Sequence, residues 1–252
     1  MKHLIIITGA SRGMGLAMAR QLCRPDVHLL GLSRQISGEL QRHARSTQTL
    51  VEQWPADLNR PDAVVERLTS WLAALKASEF SSVTLINNAG MLGTLAPVET
   101  ISAAELASGM VVNLVAPMQL TSAFLRSTAQ WSCPRKVMHI SSGLAARAQA
   151  GSSMYCASKA GLDHFSRCVA LEQAQTPNGA RVVSVYPGVI DTDMQSDLRA
   201  SDSRLFPARS RYVELKTAER LTSPDEAAAR LLRYLDRADY GQEPVVNILD
   251  HV

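Results

Sequence analysis

Residues 4–15 read Leu-Ile-Ile-Ile-Thr-Gly-Ala-Ser-Arg-Gly-Met-Gly, and an amphipathic segment follows at Met14–Cys23. A short apolar run that ends in glycines before a helical pattern is typical of a strand that turns into a helix. The glycines permit a tight turn and let a pyrophosphate approach the backbone, and the helix start favours an anion. The spacing G-x-x-x-G-x-G differs from the common G-x-G-x-x-G, but its place predicts dinucleotide binding. The alternative interpretation is a tight turn that holds no ligand.

Apolar runs and helical patterns alternate along the chain. The runs predict strands at Leu4–Thr8, Val27–Leu32, Leu50–Trp54, Ser82–Asn87, Lys136–Ser141, Arg181–Tyr186 and Val245–Leu249. Helices are predicted at Met14–Cys23, Glu39–Gln48, Pro61–Ala77, Ser102–Ser127, Ser153–Gln173 and from Ser223 to about Leu235. Strict alternation indicates parallel strands with right-handed crossovers. We therefore expect one α/β domain over residues 1–252, a Rossmann-type doubly wound sheet of about seven strands with helices on both faces.

The bulk composition excludes several classes of protein. The chain has 252 residues and a formal charge of +3, with no dense basic run, so we expect neither nucleic acid nor a membrane surface as a partner. There is no run of 18 apolar residues, so no membrane span is expected. The four cysteines form no C-x-x-C pair and have no histidine cluster beside them. We therefore expect no metal site, no disulfide framework and a cytoplasmic location.

The stretch Ile190–Lys216 interrupts the alternation. It is polar, rich in Ser, Asp and Arg, and is predicted to be an irregular substrate loop over about residues 190–216. Its arginines within 199–211 belong either to a solvated loop or to a lid that touches the substrate or the cofactor.

The end of the second predicted strand bears on the choice of dinucleotide. A cofactor with a free ribose 2′-hydroxyl usually meets an acidic residue there. Here the sequence is Leu32-Ser33-Arg34, with no acid. Arg34 and Arg12 are both placed to meet a 2′-phosphate. A guanidinium can form two parallel hydrogen bonds with phosphate oxygens. The sequence therefore favours NADPH over NADH.

Tyr155 and Lys159 lie four residues apart in a predicted helix and so share a face. A phenol titrates near pH ~10, and a nearby ammonium lowers its pKa, which makes it a usable acid–base group. Such a pair alone is common on ordinary helices. Three further features add weight, namely a buried amide inside the predicted helix and polar ends on two strands: Asn113, Asn87-Asn88-Ala89-Gly90 and Ser141-Ser142.

With these features in place, the chain resembles the short-chain dehydrogenase/reductase family. The matching motifs come in family order over residues 4 to about 193. They are Thr8-Gly9-x-x-x-Gly13-x-Gly15, Asp57-Leu58, Asn87-Asn88-Ala89-Gly90, Asn113, Ser142, Tyr155-x-x-x-Lys159 and Pro187-Gly188.

The resemblance implies catalytic roles for four residues. Ser142 would hydrogen-bond the substrate carbonyl, with Ser141 as the neighbour that caps the strand. Tyr155 would protonate the carbonyl oxygen as hydride arrives from the nicotinamide. Lys159 would bind the nicotinamide ribose and keep the Tyr155 pKa low. Asn113 would hold a water that links Lys159 to solvent.

The resemblance also implies the cofactor contacts. Asp57 and Leu58 would contact the adenine, and Val189, Ile190 and Thr192 would hold the carboxamide. The full expected set is Gly9, Ser11, Arg12, Gly13, Met14, Gly15, Ser33, Arg34, Asp57, Leu58, Asn88, Ala89, Gly90, Tyr155, Lys159, Pro187, Gly188, Val189, Ile190 and Thr192.

Within the family, the segments 155–159 and 187–195 look like the sepiapterin reductase group, which includes bacterial reductases of vicinal diketones such as benzil. Sepiapterin reductases anchor the pterin with an Asp near the C-terminus, where this chain has Asn247, with Asp250 three residues later. A diketone is therefore favoured over a pterin.

The expected activity is NADPH-dependent reduction of a ketone or vicinal diketone. Two alternatives stay open: an alcohol dehydrogenase of the same family, and a catalytically idle dinucleotide-binding redox sensor. The resemblance further implies a homodimer or homotetramer formed through the helices at 102–127 and 153–173. These helices carry small residues on their outer faces, which also suit packing within a monomer.

Overall fold

Seven parallel strands form a single sheet in the computed structural model, which describes residues 1–251. The strands are β1 (Lys2–Thr8), β2 (Val27–Ser33), β3 (Leu50–Pro55), β4 (Phe80–Asn87), β5 (Arg135–Ile140), β6 (Arg181–Tyr186) and β7 (Val245–Asn247). Their spatial order is β3-β2-β1-β4-β5-β6-β7, so the chain winds outwards in both directions from β1. This confirms the doubly wound α/β fold.

Nine α-helices are present in the described residues. They are α1 (Gly13–Gln21), α2 (Gly38–Ser46), α3 (Pro61–Ala74), α4 (Ala103–Met110), α5 (Ala116–Ser127), α6 (Ser153–Ala174), α7 (Asp193–Ala200), α8 (Arg209–Thr217) and α9 (Pro224–Leu235). Serine side chains cap three of them, and Ser102 forms the predicted capping box with Glu105 at the start of α4. β7 is shorter than predicted because the chain turns into a 3-10 helix at Ile248–His251.

The two faces of the sheet are covered by different helices. Leu4, Ile5, Ile6 and Ile7 in β1 are all at most 5% exposed, and they alternate between the faces. Ile5 and Ile7 pack with α1, α2 and α9. Leu4 and Ile6 pack with α3, α5 and α6. Because both faces are covered, the strand is apolar throughout, as the sequence indicated.

The predicted helix Ser102–Ser127 is not continuous. A π-helical turn, Val111–Val115, separates α4 from α5, and the amide of Ala116 bonds to the carbonyl of Val111. Pro117 has no N–H to donate to the carbonyl of Asn113, so a regular α-helix loses that bond here. The wider turn accommodates this loss, and turns of this kind are frequent at functional sites.

Residues 103–127 also have the length and apolar composition of a membrane-crossing helix, with a mean hydropathy of 1.3 in the most apolar window. The structure buries 44% of that window, and Leu120 and Phe124 pack fully into the sheet core. Packing against the sheet accounts for the apolar residues on the face of α5 that contains Leu120 and Phe124.

The prediction of an irregular loop over residues 190–216 is wrong. The segment contains α7 and α8, which we call the helical cap. The cap has a small core of its own, formed by Leu198, Phe206 and Tyr212, with the last two rings stacked 5.8 Å apart. Only three buried apolar side chains are spread over this length, which is too sparse to give a helical pattern in the sequence.

The buried face of α5 should carry much of the stability. Leu120→Ala is expected to lower the free energy of unfolding by about 2–5 kcal/mol, because it leaves a cavity at a fully buried site. Leu249→Ala is the matched control in the 3-10 helix Ile248–His251, where the side chain is 51% exposed, and should change the free energy of unfolding by about 0.5 kcal/mol or less. Denaturant titration measures both, and equal losses would contradict the packing described.

Candidate active site

The site lies at the carboxyl edge of the sheet, where β1 and β4 are neighbours and the winding direction reverses. Such a reversal opens a crevice between the loops that leave the two strands. The glycine turn follows β1, with Gly9 and Gly13 at φ +72 and +54. α1 begins at Gly13 without a side-chain cap or an acidic residue in its first turn. Its N-terminal amides therefore suit an anion, which fits the predicted pyrophosphate.

Asn88, after β4, holds the glycine turn in place. Its side-chain amide donates to the carbonyl of Thr8 at 2.9 Å, and its backbone N–H donates to the Thr8 hydroxyl at 3.0 Å. A Cβ atom at Gly9 would lie 2.8 Å from this amide, and one at Gly15 would overlap the carbonyl of Gly9. The glycines are thus required by the close approach of the turn to Asn88 as well as by the turn itself.

The segment after β6 lies against the same turn. A Cβ atom at Gly13 would be 3.5 Å from the methyl group of Thr192. Arg12 donates to Asp193 at 2.9 Å, and both side chains are about two-thirds exposed. The structure therefore brings Thr192, predicted with Val189 and Ile190 to hold the carboxamide, next to the glycine turn. It also gives Arg12, predicted to meet a 2′-phosphate, a carboxylate partner.

The residues predicted to bind the adenine end of the cofactor follow β2 and β3. Arg34 is exposed, and no acidic residue occurs between the end of β2 and Glu39. Asp57 accepts a bond from the amide of Asn59 at 3.0 Å, while Leu58 is buried. Elsewhere in the expected set, Met14 has its side chain in the core, so any cofactor contact from it is left to the backbone.

Asn113, on the π-helical turn, fixes the loop after β4. Its side chain accepts from the amide of Met91 and donates to the carbonyl of Met91, both at 2.8 Å. It also donates to the Ser158 hydroxyl at 3.2 Å. Both N–H groups of the side-chain amide are used in these bonds, so the water predicted for this residue is left to an acceptor, either the side-chain oxygen or the backbone carbonyl, which Pro117 does not engage.

Lys159 points at the loop that Asn113 holds. Its ammonium donates to the carbonyl of Ile140 at 2.7 Å and lies 5.8 Å from the ring centre of Tyr155. A Cβ atom at Gly90 would be 3.6 Å from the ammonium and 3.4 Å from the Asn113 side-chain oxygen. Gly90, Asn113, Lys159 and Tyr155 therefore lie close together.

The pKa of Tyr155 differs from the sequence expectation. Burial raises it to about 12, and the Ser142 hydroxyl acts in the opposite direction. Burial lowers the pKa of Lys159 to about 8, against the effect of Asp163. Lys159 is not among the groups that shift the Tyr155 pKa, so the expected lowering is not found, and removal of the phenol from water dominates. At neutral pH the phenol keeps its proton.

The two serines after β5 have different environments. Ser142 faces Tyr155 and accepts from the amide of Leu144 at 3.2 Å. The Ser141 hydroxyl is buried and has no hydrogen-bond partner among the described residues, while its amide donates to the carbonyl of Val185. Of the two, Ser142 is the one that faces the Tyr155 phenol.

Sequence reasoning did not find two groups near the site. Tyr212 of the helical cap donates to Gln149 at 3.0 Å, and Gln149 donates to Ser152 just before α6. Tyr212 is near enough to Tyr155 to raise its pKa. Nothing in the sequence linked these distant residues. Asp163 was the other group missed. It lies four residues after Lys159, and this spacing places both on the same face of the helix.

Comparison with known sequences agrees with this arrangement. The short chain dehydrogenase family profile matches residues 3–203. A benzil reductase ((S)-benzoin forming) of Bacillus cereus is 32% identical over 97% of this chain and 98% of its own length. The corresponding enzyme of Bacillus subtilis is 35% identical, over 93% and 94%. A sepiapterin reductase of Rattus norvegicus is 30% identical, over 97% and 95%.

Solved structures share the fold. The KRED1-Pglu enzyme superposes with a TM-score of 0.81 at 25% identity, over 98% of this chain and all of its own. A metagenomic short-chain oxidoreductase in complex with NADP has a TM-score of 0.73 at 27% identity, over 97% and 96%. A 3-oxoacyl-[acyl-carrier protein] reductase of Brucella melitensis in complex with NAD has a TM-score of 0.80 at 23% identity, over 98% and 96%.

The site geometry, the family profile and these relatives agree with one another. The family binds a nicotinamide dinucleotide and acts on small molecules. This chain is an oxidoreductase that belongs to the short-chain dehydrogenase family, in the group of the sepiapterin and benzil reductases.

Proposed function

We propose that this protein reduces a ketone or vicinal diketone to the hydroxy compound with NADPH, and that Tyr155 donates the proton. The observation that carries the proposal is the convergence of Ser142, Tyr155 and Lys159 at the sheet edge that also holds the glycine turn. Two hydroxyls that face each other there can both donate to one carbonyl oxygen.

The chain's own groups divide the work of the reduction. When bound, NADPH supplies the hydride that adds to the carbonyl carbon. Tyr155 gives its proton to the carbonyl oxygen, so that C=O becomes CH–OH. Because its pKa is about 12, the phenol is in the acid form needed for reduction. Ser142 orients the oxygen, and the Lys159 ammonium favours the phenolate that is left after transfer.

The preference for NADPH is supported by the region after β2. Arg34 is exposed there and no acid follows it before Glu39, so a 2′-phosphate meets positive charge rather than a carboxylate. Arg12 contributes less to the preference for NADPH than the sequence suggested, because its guanidinium is paired with the Asp193 carboxylate. Relatives of this fold bind either dinucleotide, so Arg34 carries most of the argument.

The helical cap supports an apolar substrate. Tyr212, Phe206 and Leu198 pack with Leu92 and Leu95 beside the reacting hydroxyls. An aromatic diketone suits such a surface, in line with the benzil reductases among the relatives. Position 247 carries an amide rather than a carboxylate to anchor a pterin, and this amide donates to one oxygen of Asp250 at 3.2 Å.

Alcohol oxidation by the same residues would be the reverse reaction and would need a phenolate. With a pKa of about 12, the phenol of Tyr155 is in the form that reduction uses, while the net direction depends on the cofactor pool. An idle redox sensor would not require both Tyr155 and Lys159. We further propose a homodimer or homotetramer through the outer faces of α5 and α6, where Met118 and Leu171 are exposed apolar side chains.

Replacing the proton donor tests the activity itself. Tyr155→Phe is expected to reduce the rate of diketone-dependent NADPH oxidation by ~10²–10⁴-fold, because only the hydroxyl is lost. NADPH binding, followed by fluorescence, should change by no more than a few-fold.

Tyr234→Phe, at a buried tyrosine on α9, is the matched control and should keep full activity. The assay uses vicinal diketones, simple ketones and a pterin diketone. Full activity in Tyr155→Phe would exclude the proton donor, and NADPH binding without oxidation of it across the whole panel would favour the sensor.

Arg34 should determine the choice of cofactor. Arg34→Ala is expected to raise the Kd for NADPH by about 10–100-fold, the value of a charged hydrogen bond, and to leave the Kd for NADH unchanged. Arg24→Ala is the control, because Arg24 precedes β2 at the opposite edge of the sheet and its ion pair in the described residues is with Asp26. Equal losses for both dinucleotides would contradict a contact with the 2′-phosphate.

The reduction should slow at alkaline pH. Lys159 is charged below its pKa of about 8 and loses its proton above it, while Tyr155 stays protonated up to about 12. The value of kcat/KM for reduction is therefore expected to be level at pH 6–7 and to fall with a midpoint near 8. A rate that holds to pH 10 would show that the charge on Lys159 is not needed.

A further inference from the structure

Three titratable residues follow one another along the buried face of α6. Tyr155, Lys159 and Asp163 are spaced four residues apart, so their side chains stack along the helix. All three are less than 9% exposed. Asp163 is 3% exposed and is the only acidic residue buried to this degree among residues 1–251. The proposed reaction uses the first two and leaves Asp163 without a role.

Two hydroxyls of β6 bind the Asp163 carboxylate. Ser184 donates to one oxygen at 2.6 Å, and Tyr186 donates to the other at 2.5 Å. Burial raises the pKa of Tyr186 to about 12, with Asp163 acting in the same direction, so this hydroxyl stays a donor. Within the described part of the chain, no basic side chain lies within 4.0 Å of the carboxylate. The two donors stabilise the charged form of a carboxylate that is removed from water.

The sheet register places the two charges at the same level. Lys159 is anchored to the carbonyl of Ile140 on β5, and Ile140 pairs with Val185 on β6. The anchors of Asp163, Ser184 and Tyr186, are the residues on either side of Val185. The buried ammonium and the buried carboxylate, both on α6, therefore bond to adjacent strands of the sheet. Asp163 raises the pKa of Lys159, which acts against the effect of burial.

Within residues 1–251, no other group near Lys159 supplies a negative charge. His139 on β5 is fully buried, and burial lowers its pKa to about 3, so it is neutral. The π-helical turn presents the amide of Asn113, which does not titrate. The titratable neighbours of Lys159 and Asp163 on α6, β5 and β6 are Tyr155, Arg167, His139 and Tyr186.

We propose that Asp163 is a positioning residue, the buried counter-charge that keeps Lys159 protonated during the reaction. A buried ammonium that loses its one carboxylate is left uncompensated and releases its proton more readily. The proposal rests on the proposed function for the part that Lys159 plays, but the state of the Lys159 ammonium is a property of the folded chain alone. A role restricted to tying α6 to β6 is the alternative.

The chain has five lysines, so the protonation of each can be followed by NMR of the Cε atoms in protein labelled with 13C-lysine. Lys159→Met assigns the Lys159 signal. Asp163→Asn keeps the shape and removes the charge, and it is expected to lower the pKa of Lys159 by at least about one unit, a tenfold loss of proton affinity. Tyr186→Phe removes one hydrogen bond but keeps the carboxylate, and should move the pKa far less.

A second readout is the pH profile. In Asp163→Asn the alkaline fall of kcat/KM should begin at lower pH, while the rate on the acidic side of both profiles stays similar. Asp163→Glu, which restores the charge, should return the profile towards that of the wild type. A uniform loss of activity at every pH, with an unchanged Lys159 titration, would overturn the proposal. Asp163 would then have only the structural role of connecting α6 to β6.

If Asp163→Asn does not fold, the triple variant Asp163→Leu, Ser184→Ala, Tyr186→Phe replaces the whole polar group by apolar side chains of similar shape, which is often tolerated. It should give the same lowering of the Lys159 pKa. The two proposals fail separately. A wild-type protein that reduces no ketone refutes the proposed activity but leaves the NMR result valid. An active protein whose Lys159 titration ignores Asp163 refutes only the counter-charge.

Discussion

The reversal of winding between β1 and β4 is the constraint on which the rest of the structure depends. Because β2 and β4 lie on opposite sides of β1, the loops that leave β1 and β4 diverge and open one crevice. The glycine turn fills one wall of it, and the loop held by Asn113 fills the other. The ends of β5 and β6 then bring Ser142 and the segment before α7 to the same edge. The strand order alone thus gathers residues that are far apart in sequence.

Burial and charge act against each other throughout the site. The helix α6 carries a phenol, an ammonium and a carboxylate on the face that packs on the sheet. Burial raises the pKa of Tyr155 and lowers that of Lys159, so the uncharged form of each is favoured. Asp163 restores some of the charge to Lys159. The balance leaves a protonated phenol beside an ammonium whose charge is held by its neighbours.

The sequence predicted the sheet, the glycine turn and the Tyr155–Lys159 pair because each rests on local spacing that the fold does not alter. It did not predict the helical cap, whose three buried apolar residues are separated by polar stretches. The π-helical turn was also missed, since one extra residue within a long apolar helix leaves the periodicity almost unchanged. The partner of Arg12 and the anchors of Asp163 depend on contacts between distant segments, which no local pattern encodes.

The ion pair between Arg12 and Asp193 joins the glycine turn to the first residue of α7. Its side chains are mostly in water, so it contributes at most about 1 kcal/mol and is weakened by salt. A polyanion that arrives at the turn competes with Asp193 for the same guanidinium. Ionic strength therefore acts on two properties through Arg12. One is the attraction of a phosphate to the glycine turn, and the other is the ion pair that connects the helical cap to this turn.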